Sequence, residues 1–218
     1  MLNTCTQCGA YQPDKEIEPG LNGNTTAICP ACGHPHPFVR LPLLFVTGAS
    51  GTGKTTTCHT LTGTIPEAVL LDIDILWSPY FNNPEDGFRE FFETWLRMCK
   101  NIAQSGRPVV LFGSGTGVPH NIESRVERRY IGETHYLALV CDDKVQESRL
   151  WARSNNGGDA ENIQDQVNFN RWFKEKGPLE TPPVELLDTT NVPVEETARQ
   201  VKYWIYQILS THEHQNEG

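Results

Sequence analysis

The chain has 218 residues, 38% of them hydrophobic and 21% charged, and a formal net charge of −9. That composition suits one full globular domain plus a small module, and it argues against broad, non-specific attraction to nucleic acid or anionic membrane, which would need clustered Lys and Arg, while leaving room for a local basic pocket. No run approaches the ~18 apolar residues of a membrane span, and no basic leader precedes an apolar stretch, so a cytoplasmic protein without a membrane partner is expected.

Four of the seven cysteines fall early, as Cys5-x-x-Cys8 and Cys29-x-x-Cys32, while Cys58, Cys99 and Cys141 are scattered. Two such pairs 20 residues apart match the four-thiolate zinc pattern, in which each tight turn offers two sulfurs. Gly9 and Gly33 follow the pairs and suit turns that need a left-handed residue. Disulfides or a redox pair are the competing reading, but a cytosolic setting disfavours the first and redox pairs come singly beside a βαβ unit. His34 and His36 could substitute as ligands, although four thiols already fill the site. Residues 1–38, with Cys29-Pro30-Ala31-Cys32-Gly33-His34 as the most specific part, resemble a zinc ribbon. A closed four-cysteine site is structural, and a segment of about 30 residues folds only with such help. Contact with a protein or nucleic acid, or packing on the rest of the chain, both remain open roles.

Pro35, Pro37 and Pro42 bracket a stiff connection into a second domain, expected over 41–212 and followed by a disordered tail at 213–218. Strands are expected near 43–47, 68–73, 108–112, 135–141 and 184–188, with helices near 54–62, 86–105, 119–130, 144–153, 160–175 and 194–210. The last helix carries Val194, Ala198, Val201, Ile205 and Ile208 as a core-facing stripe. Alternating apolar strands and helices predict a parallel sheet covered on both faces, with ligands at the carboxyl ends of its strands.

The first of these strands, Leu43-Leu44-Phe45-Val46, runs into Gly48-Ala49-Ser50-Gly51-Thr52-Gly53-Lys54-Thr55, which fits G-x-x-x-x-G-K-[ST]. With an apolar strand before it and the threonine-rich helix start Thr55-Thr56-Thr57 after it, this is a phosphate-binding loop. Backbone N–H groups curl around phosphate oxygens, Lys54 reaches the β- and γ-phosphates, and the Thr55 hydroxyl can ligate Mg²⁺. ATP or GTP is the expected ligand. The second strand ends in Leu70-Leu71-Asp72-Ile73-Asp74, where strand alternation would turn both carboxylates to one side. Asp72 is expected in the hydration shell of Mg²⁺ beside Thr55, and Asp74, one step further out, as acceptor contact and base.

Residues 75–105 include Trp77, Tyr80, Phe81, Arg89, Phe92 and Trp95, which could grip an acceptor, with Arg89 as the polar contact. Phe88, Phe91, Phe92 and Trp95 also fall at helical spacing, and a core stripe is the commoner reason for that. The third strand meets Gly113-Ser114-Gly115-Thr116-Gly117, a turn either for close approach of the acceptor or for flexibility alone. Arg125, Arg128 and Arg129 are expected to be mostly solvated, and Asp142 and Asp143 to begin the next helix. That helix carries Arg149 and Arg153, followed by the glycine-rich Ser154–Asp159, the composition of a lid that closes on phosphates.

In this order the loop at Gly48–Thr55, the Asp72-x-Asp74 pair, the glycine turn and Arg149-x-x-x-Arg153 resemble small-molecule kinases of the nucleoside-monophosphate-kinase-like P-loop class. Shikimate and gluconate kinases, and the nucleoside and antibiotic phosphotransferases, are the nearest in feel, over about residues 41–210. The resemblance implies a three-layer α/β fold with a five-stranded parallel sheet in the order 2-3-1-4-5. It implies catalytic roles for Lys54, Asp74, Arg149 and Arg153, and a segment near the nucleotide base at Asp188-Thr189-Thr190. The sequence departs from that plan in its zinc ribbon and in lacking an arginine that matches the shikimate-carboxylate clamp. The expected activity is ATP-dependent phosphoryl transfer to a small hydroxylated metabolite, nucleoside or nucleotide. The alternatives are a nucleic-acid-associated enzyme resembling polynucleotide kinase, and a regulatory nucleotide-binding module that signals through the ribbon.

Overall fold

In the computed structural model, which describes residues 2–20, 25–153 and 160–216, the chain begins with three short strands. These are β1 (Glu16–Pro19), β2 (Thr25–Ile28) and β3 (Pro35–Phe38), which form an antiparallel sheet in chain order. One cysteine turn precedes β1 and the other joins β2 to β3. Gly9 and Gly33 take positive φ of 74° and 73° in these turns, the left-handed conformation expected there.

The larger sheet contains β4 (Leu43–Thr47), β5 (Val69–Asp72), β6 (Val109–Phe112), β7 (Thr134–Val140) and β8 (Val184–Asp188). Its order is β5-β6-β4-β7-β8 and every pairing is parallel, the 2-3-1-4-5 arrangement expected from the sequence. Central β4 is buried at every position because both of its faces are covered. Leu43 and Phe45 pack on one side with Phe91, Trp95 and Leu96 of α2 (Arg89–Ala103) and Phe173 of α5 (Ala160–Glu175). On the other side Leu44 and Val46 meet Leu61 of α1 (Lys54–Leu61) and Ala198, Val201 and Ile205 of α6 (Val194–Asn216). Fully burying each of these large side chains is worth about 1.5–3 kcal/mol, so the two clusters fix the carboxyl ends of β4, β5 and β6 relative to one another. None of the described helices is long and apolar enough to cross a membrane.

Three boundaries differ from expectation. The helix expected over 119–130 splits into α3 (Pro119–Glu123) and a 3₁₀ turn at Val126–Tyr130. There the Glu93 carboxylate takes the backbone N–H groups of Val126 and Glu127, displacing helical partners. Arg128 is not solvated as expected, since it donates to Glu123, Thr134 and the carbonyls of Ile131 and Gly132 and so stitches this turn to β7. Secondly, α2 begins at Arg89 rather than 86, after the positive-φ pair Gly87 and Phe88. Finally, α6 runs on to Asn216, into the segment expected as a tail.

The three-stranded sheet packs on the rest of the chain. The Tyr130 hydroxyl donates to the Pro13 carbonyl at 2.6 Å and accepts the Lys15 N–H at 2.9 Å, and its ring meets Phe38 edge-on at 5.6 Å. A buried ion pair between Lys100 of α2 and Glu127 also engages both ends of the Asn3 side-chain amide. Gln104 completes the seam by pairing with the backbone of Val39 in both directions at 3.0 Å.

Candidate active site

The phosphate loop leaves β4 through Gly48, whose φ is 131° and where a Cβ would lie 2.2 Å from the Leu139 carbonyl oxygen. Only glycine fits there. Gly53 caps α1 without a side-chain bond, so the N–H groups of the first helical turn remain for an anion. Lys54 folds back over the loop, and its ammonium donates to the Ala49 carbonyl at 2.8 Å. Burial pulls its pKa down to about 8, opposed by the nearby Asp74 and Asp72 carboxylates.

The tip of the loop is held from outside. The side-chain carbonyl of Gln166 on α5 accepts the Ser50 N–H at 2.8 Å, and the amide of Gln146 on α4 (Asp143–Arg153) donates to the Ser50 carbonyl at 2.8 Å. Neither glutamine carries a sequence signal, because each acts through a contact made across the fold.

Opposite the loop lie the two carboxylates. Strand alternation does not place them, since β5 ends at Asp72 and a 3₁₀ turn over Ile73–Leu76 begins there, capped by the Asp72 carboxylate, which accepts the Asp74 N–H at 2.9 Å. The turn nonetheless brings both to one cavity of about 150 Å³ together with Lys54, Thr55, Gly113 and Arg153. Partial desolvation and the adjacent Asp72 push the Asp74 carboxyl above its ordinary value, against the pull of Lys54. A carboxylate so raised accepts a proton more readily.

Gly113 and Ser114 line this cavity and Gly115 the next, but the glycines of this turn serve the protein's own packing. A Cβ on Gly113 would meet Ile73 at 2.1 Å, and one on Gly117 would meet Thr47 at 2.0 Å. Beyond Asp74 opens a larger chamber of about 680 Å³, walled by Ile73, Trp77, Phe88, Phe91, Phe92 and Phe169. Both readings of the aromatic stripe therefore hold, for Phe91 and Phe92 are core residues whose rings also face the chamber, while Trp95 is wholly buried. Phe169 of α5 is not legible in the sequence as a site residue. Arg89, expected as the polar acceptor contact, is exposed at the start of α2, outside the lining of the chamber.

Arg149 is placed differently from Arg153. Its guanidinium donates to the Thr189 carbonyl at 2.8 Å and reaches the carbonyls of Thr190 and Gly51 at 3.4 and 3.5 Å. The Thr189 hydroxyl in turn donates to Thr52 and Val140, and the Asp188 carboxylate accepts the Thr190 N–H at 2.8 Å. This network ties the segment after β8 to the phosphate loop beside a third cavity of about 160 Å³, lined by Gly53, Thr56, Arg149, Arg153, Thr189 and Val192 among others. Arg153 lines both this cavity and the phosphate cavity. The hinge expected at Ser154–Asp159 lies outside the described residues. Asp142 and Asp143 serve α4 as expected, the first capping Lys144 and the second paired with Arg171 and Lys174.

Outside these cavities, the Sγ atoms of Cys5, Cys8, Cys29 and Cys32 all lie within 4.8 Å of one another. Cys5 and Cys32 are 3.7 Å apart, and Cys8 and Cys29 3.8 Å. A tetrahedron of ~2.3 Å Zn–S bonds has edges of about 3.8 Å, so the spacing is compatible with zinc.

No family model matches the sequence, and no curated relative matches it. Solved structures do match. A gluconokinase from Sinorhizobium meliloti superposes with a TM-score of 0.55 at 16% identity, covering 80% of this chain and 97% of its own. A shikimate kinase from Acinetobacter baumannii, in complex with shikimate, gives 0.51 at 19% identity over 77% and 94%. The tunicamycin resistance protein of Deinococcus radiodurans gives 0.54 at 18% identity over 76% and 96%. The chain has the fold of the P-loop small-molecule kinases. At such identities the likeness shows the fold alone, and the chemistry has to be argued from the residues.

Proposed function

We propose that the protein is an ATP-dependent phosphotransferase that moves the γ-phosphoryl group to a hydroxyl of a small molecule. The observation that carries this reading is the position of Asp74, which lines both the phosphate cavity and the aromatic chamber. A hydrolase or signalling module needs only the first cavity, whereas transfer needs an acceptor chamber that meets it at a base.

In this reading the phosphate loop and the start of α1 hold the β- and γ-phosphates, and Lys54 exchanges its bond with Ala49 for one to phosphate. Charge developing on the transferred oxygens is then met by Lys54 and Arg153. Thr55 and Asp72, which share the cavity, would hold Mg²⁺, and the ion would neutralise charge between the β- and γ-phosphates. Asp74 accepts the acceptor's proton. The nucleotide base is assigned to the third cavity, whose wall Arg149 braces. The four-cysteine cluster holds structural Zn²⁺, and the division at residues 38 and 41 separates the ribbon from the transferase domain. Gluconokinase and shikimate kinase, which share the fold, are named for acceptors of this kind, small and hydroxylated.

Acceptor-dependent release of ADP from Mg-ATP, measured over a panel of sugars, nucleosides and other alcohols, tests the proposal. Turnover that appears only with an acceptor and vanishes in Lys54→Ala is expected. Turnover that is the same with and without any acceptor, and equally strong in Asp74→Asn, would point to hydrolysis instead.

A further inference from the structure

Resting on that reading, we propose that the acceptor is an uncharged alcohol carried on a flat apolar ring, and not a sugar acid or a nucleotide. The chamber of about 680 Å³ is large enough for a ring system with a side chain. Its walls are rings set at angles to one another: Trp77 meets Phe91 edge-on at 5.3 Å, and Phe91 meets Phe92 at 5.8 Å with planes 62° apart. Such a wall offers a ring face or edge to a flat guest from several sides.

The polar groups of the chamber gather at one end. Ser50, Asp74 and Ser114 line the phosphate cavity as well, and Gln166 is bonded to Ser50. A hydroxyl is therefore served only where phosphoryl transfer occurs, while the remainder of the guest meets carbon.

Charge makes the same selection. Among the described residues that line the chamber the one charged side chain is Asp74, an anion. Lys54 and Arg153 belong to the phosphate cavity, Arg89 lies outside the lining, and Arg125 sits 5.5 Å from the Phe92 ring centroid while donating to the Asn121 carbonyl. A carboxylate or phosphate on the acceptor would lie beside the Asp74 anion without gaining a cation from the chamber's lining, and like charges held close repel. In the step itself the acceptor oxygen forms a bond to the γ-phosphorus, and the bond from that phosphorus to the β,γ-bridging oxygen breaks. ADP leaves with the bond's electron pair, and the hydroxyl proton passes to Asp74 and then to water.

The test compares 1-phenyl- and 1-naphthyl-1,2-ethanediol with gluconate, shikimate and AMP, using both ADP release from Mg-ATP and calorimetric binding in the presence of a non-hydrolysable ATP analogue. The aryl diols are expected to exceed the anionic probes by about tenfold or more in kcat/KM, the scale on which an uncompensated polar group discriminates. Trp77→Ala, a change at a half-exposed position that the fold should tolerate, is expected to weaken aryl diol binding roughly fivefold to tenfold. Anionic probes used as well as the diols, or aryl diols that bind in neither protein, overturn the inference while leaving phosphoryl transfer intact. Diols that bind in a Trp77-dependent way but release no ADP from bound Mg-ATP uphold the chamber's preference and overturn the phosphotransferase reading.

Discussion

The Asp72 carboxylate caps the turn that carries Asp74, accepting the Asp74 N–H at 2.9 Å. One acid thus sets the position of the other, and their variants should separate. Asp74→Asn is expected to bind Mg-ATP normally and to lose about 10²–10⁴-fold in transfer rate, the usual cost of a missing base. Asp72→Asn keeps an oxygen for the cap but loses the charge, so the Mg²⁺ concentration required for half-maximal rate should rise. Steady-state kinetics at varied Mg²⁺ checks both, and the roles are wrong if the two variants behave in the reverse order.

Lys54 gives a pH signature. Burial draws its pKa down to about 8, so in the free protein it begins to lose its proton near that pH. Bound phosphates favour the charged form, and binding above that pH must take up a proton. Affinity for Mg-ATP should therefore be flat at neutral pH and fall by up to about tenfold per pH unit above pH 8. Calorimetry in buffers of different ionisation heat reads the proton uptake directly. Lys54→Ala should remove this dependence and lower the transfer rate by about 10²-fold or more.

The two arginines of α4 should split between KM and kcat. Arg149 is engaged with backbone carbonyls at 189 and 190, so Arg149→Lys, which cannot reproduce that fork, is expected mainly to raise the KM for ATP. Arg153→Ala should instead lower kcat, because Arg153 lines the cavity beside Lys54 and the phosphate loop. Equal effects of both variants on kcat alone would show that Arg149 leaves its carbonyls to act on the phosphates.

Metal analysis should find one zinc per chain, held by Cys5, Cys8, Cys29 and Cys32. Cys8→Ser is expected to lower zinc content and the resistance of residues 2–38 to proteolysis while leaving Mg-ATP affinity nearly unchanged, because the cluster lies away from the phosphate loop. Carefully purified protein with less than about half a zinc per chain would count against the site.

The phosphate loop is legible because it is written in a short stretch, an apolar run followed by a glycine pattern whose chemistry allows few substitutes, whereas the strand order is written in no one stretch and comes only with the resemblance to the P-loop kinases. Asp72 and Asp74 are legible as a pair, but the turn that seats them is not, since a capped 3₁₀ turn and one more residue of strand differ by a single local bond. Gln146, Gln166 and Phe169 give no signal at all. Their partners lie across the fold, at Ser50 and the chamber wall, and nothing near them in sequence distinguishes a bracing glutamine from a solvated one. Arg149 stands out in the sequence as a phosphate contact, while its bonds to the carbonyls of Thr189 and Thr190 are made across the fold and carry no sequence signal.

Helix α2 has two clients. At its amino end Phe91 and Phe92 wall the acceptor chamber, and at its carboxyl end Lys100 and Gln104 are fastened to Asn3 and Val39 of the cysteine-bearing segment. The Asn3 amide bridges the buried Lys100–Glu127 pair, so the cysteine-bearing segment is tied to charged groups that removing Asn3 would leave less well satisfied. Chelation of the metal should therefore register as a weaker hold on the acceptor, its KM rising while that for ATP stays put. On the proposed reading, the four-cysteine segment anchors one wall of a chamber that none of its cysteines lines.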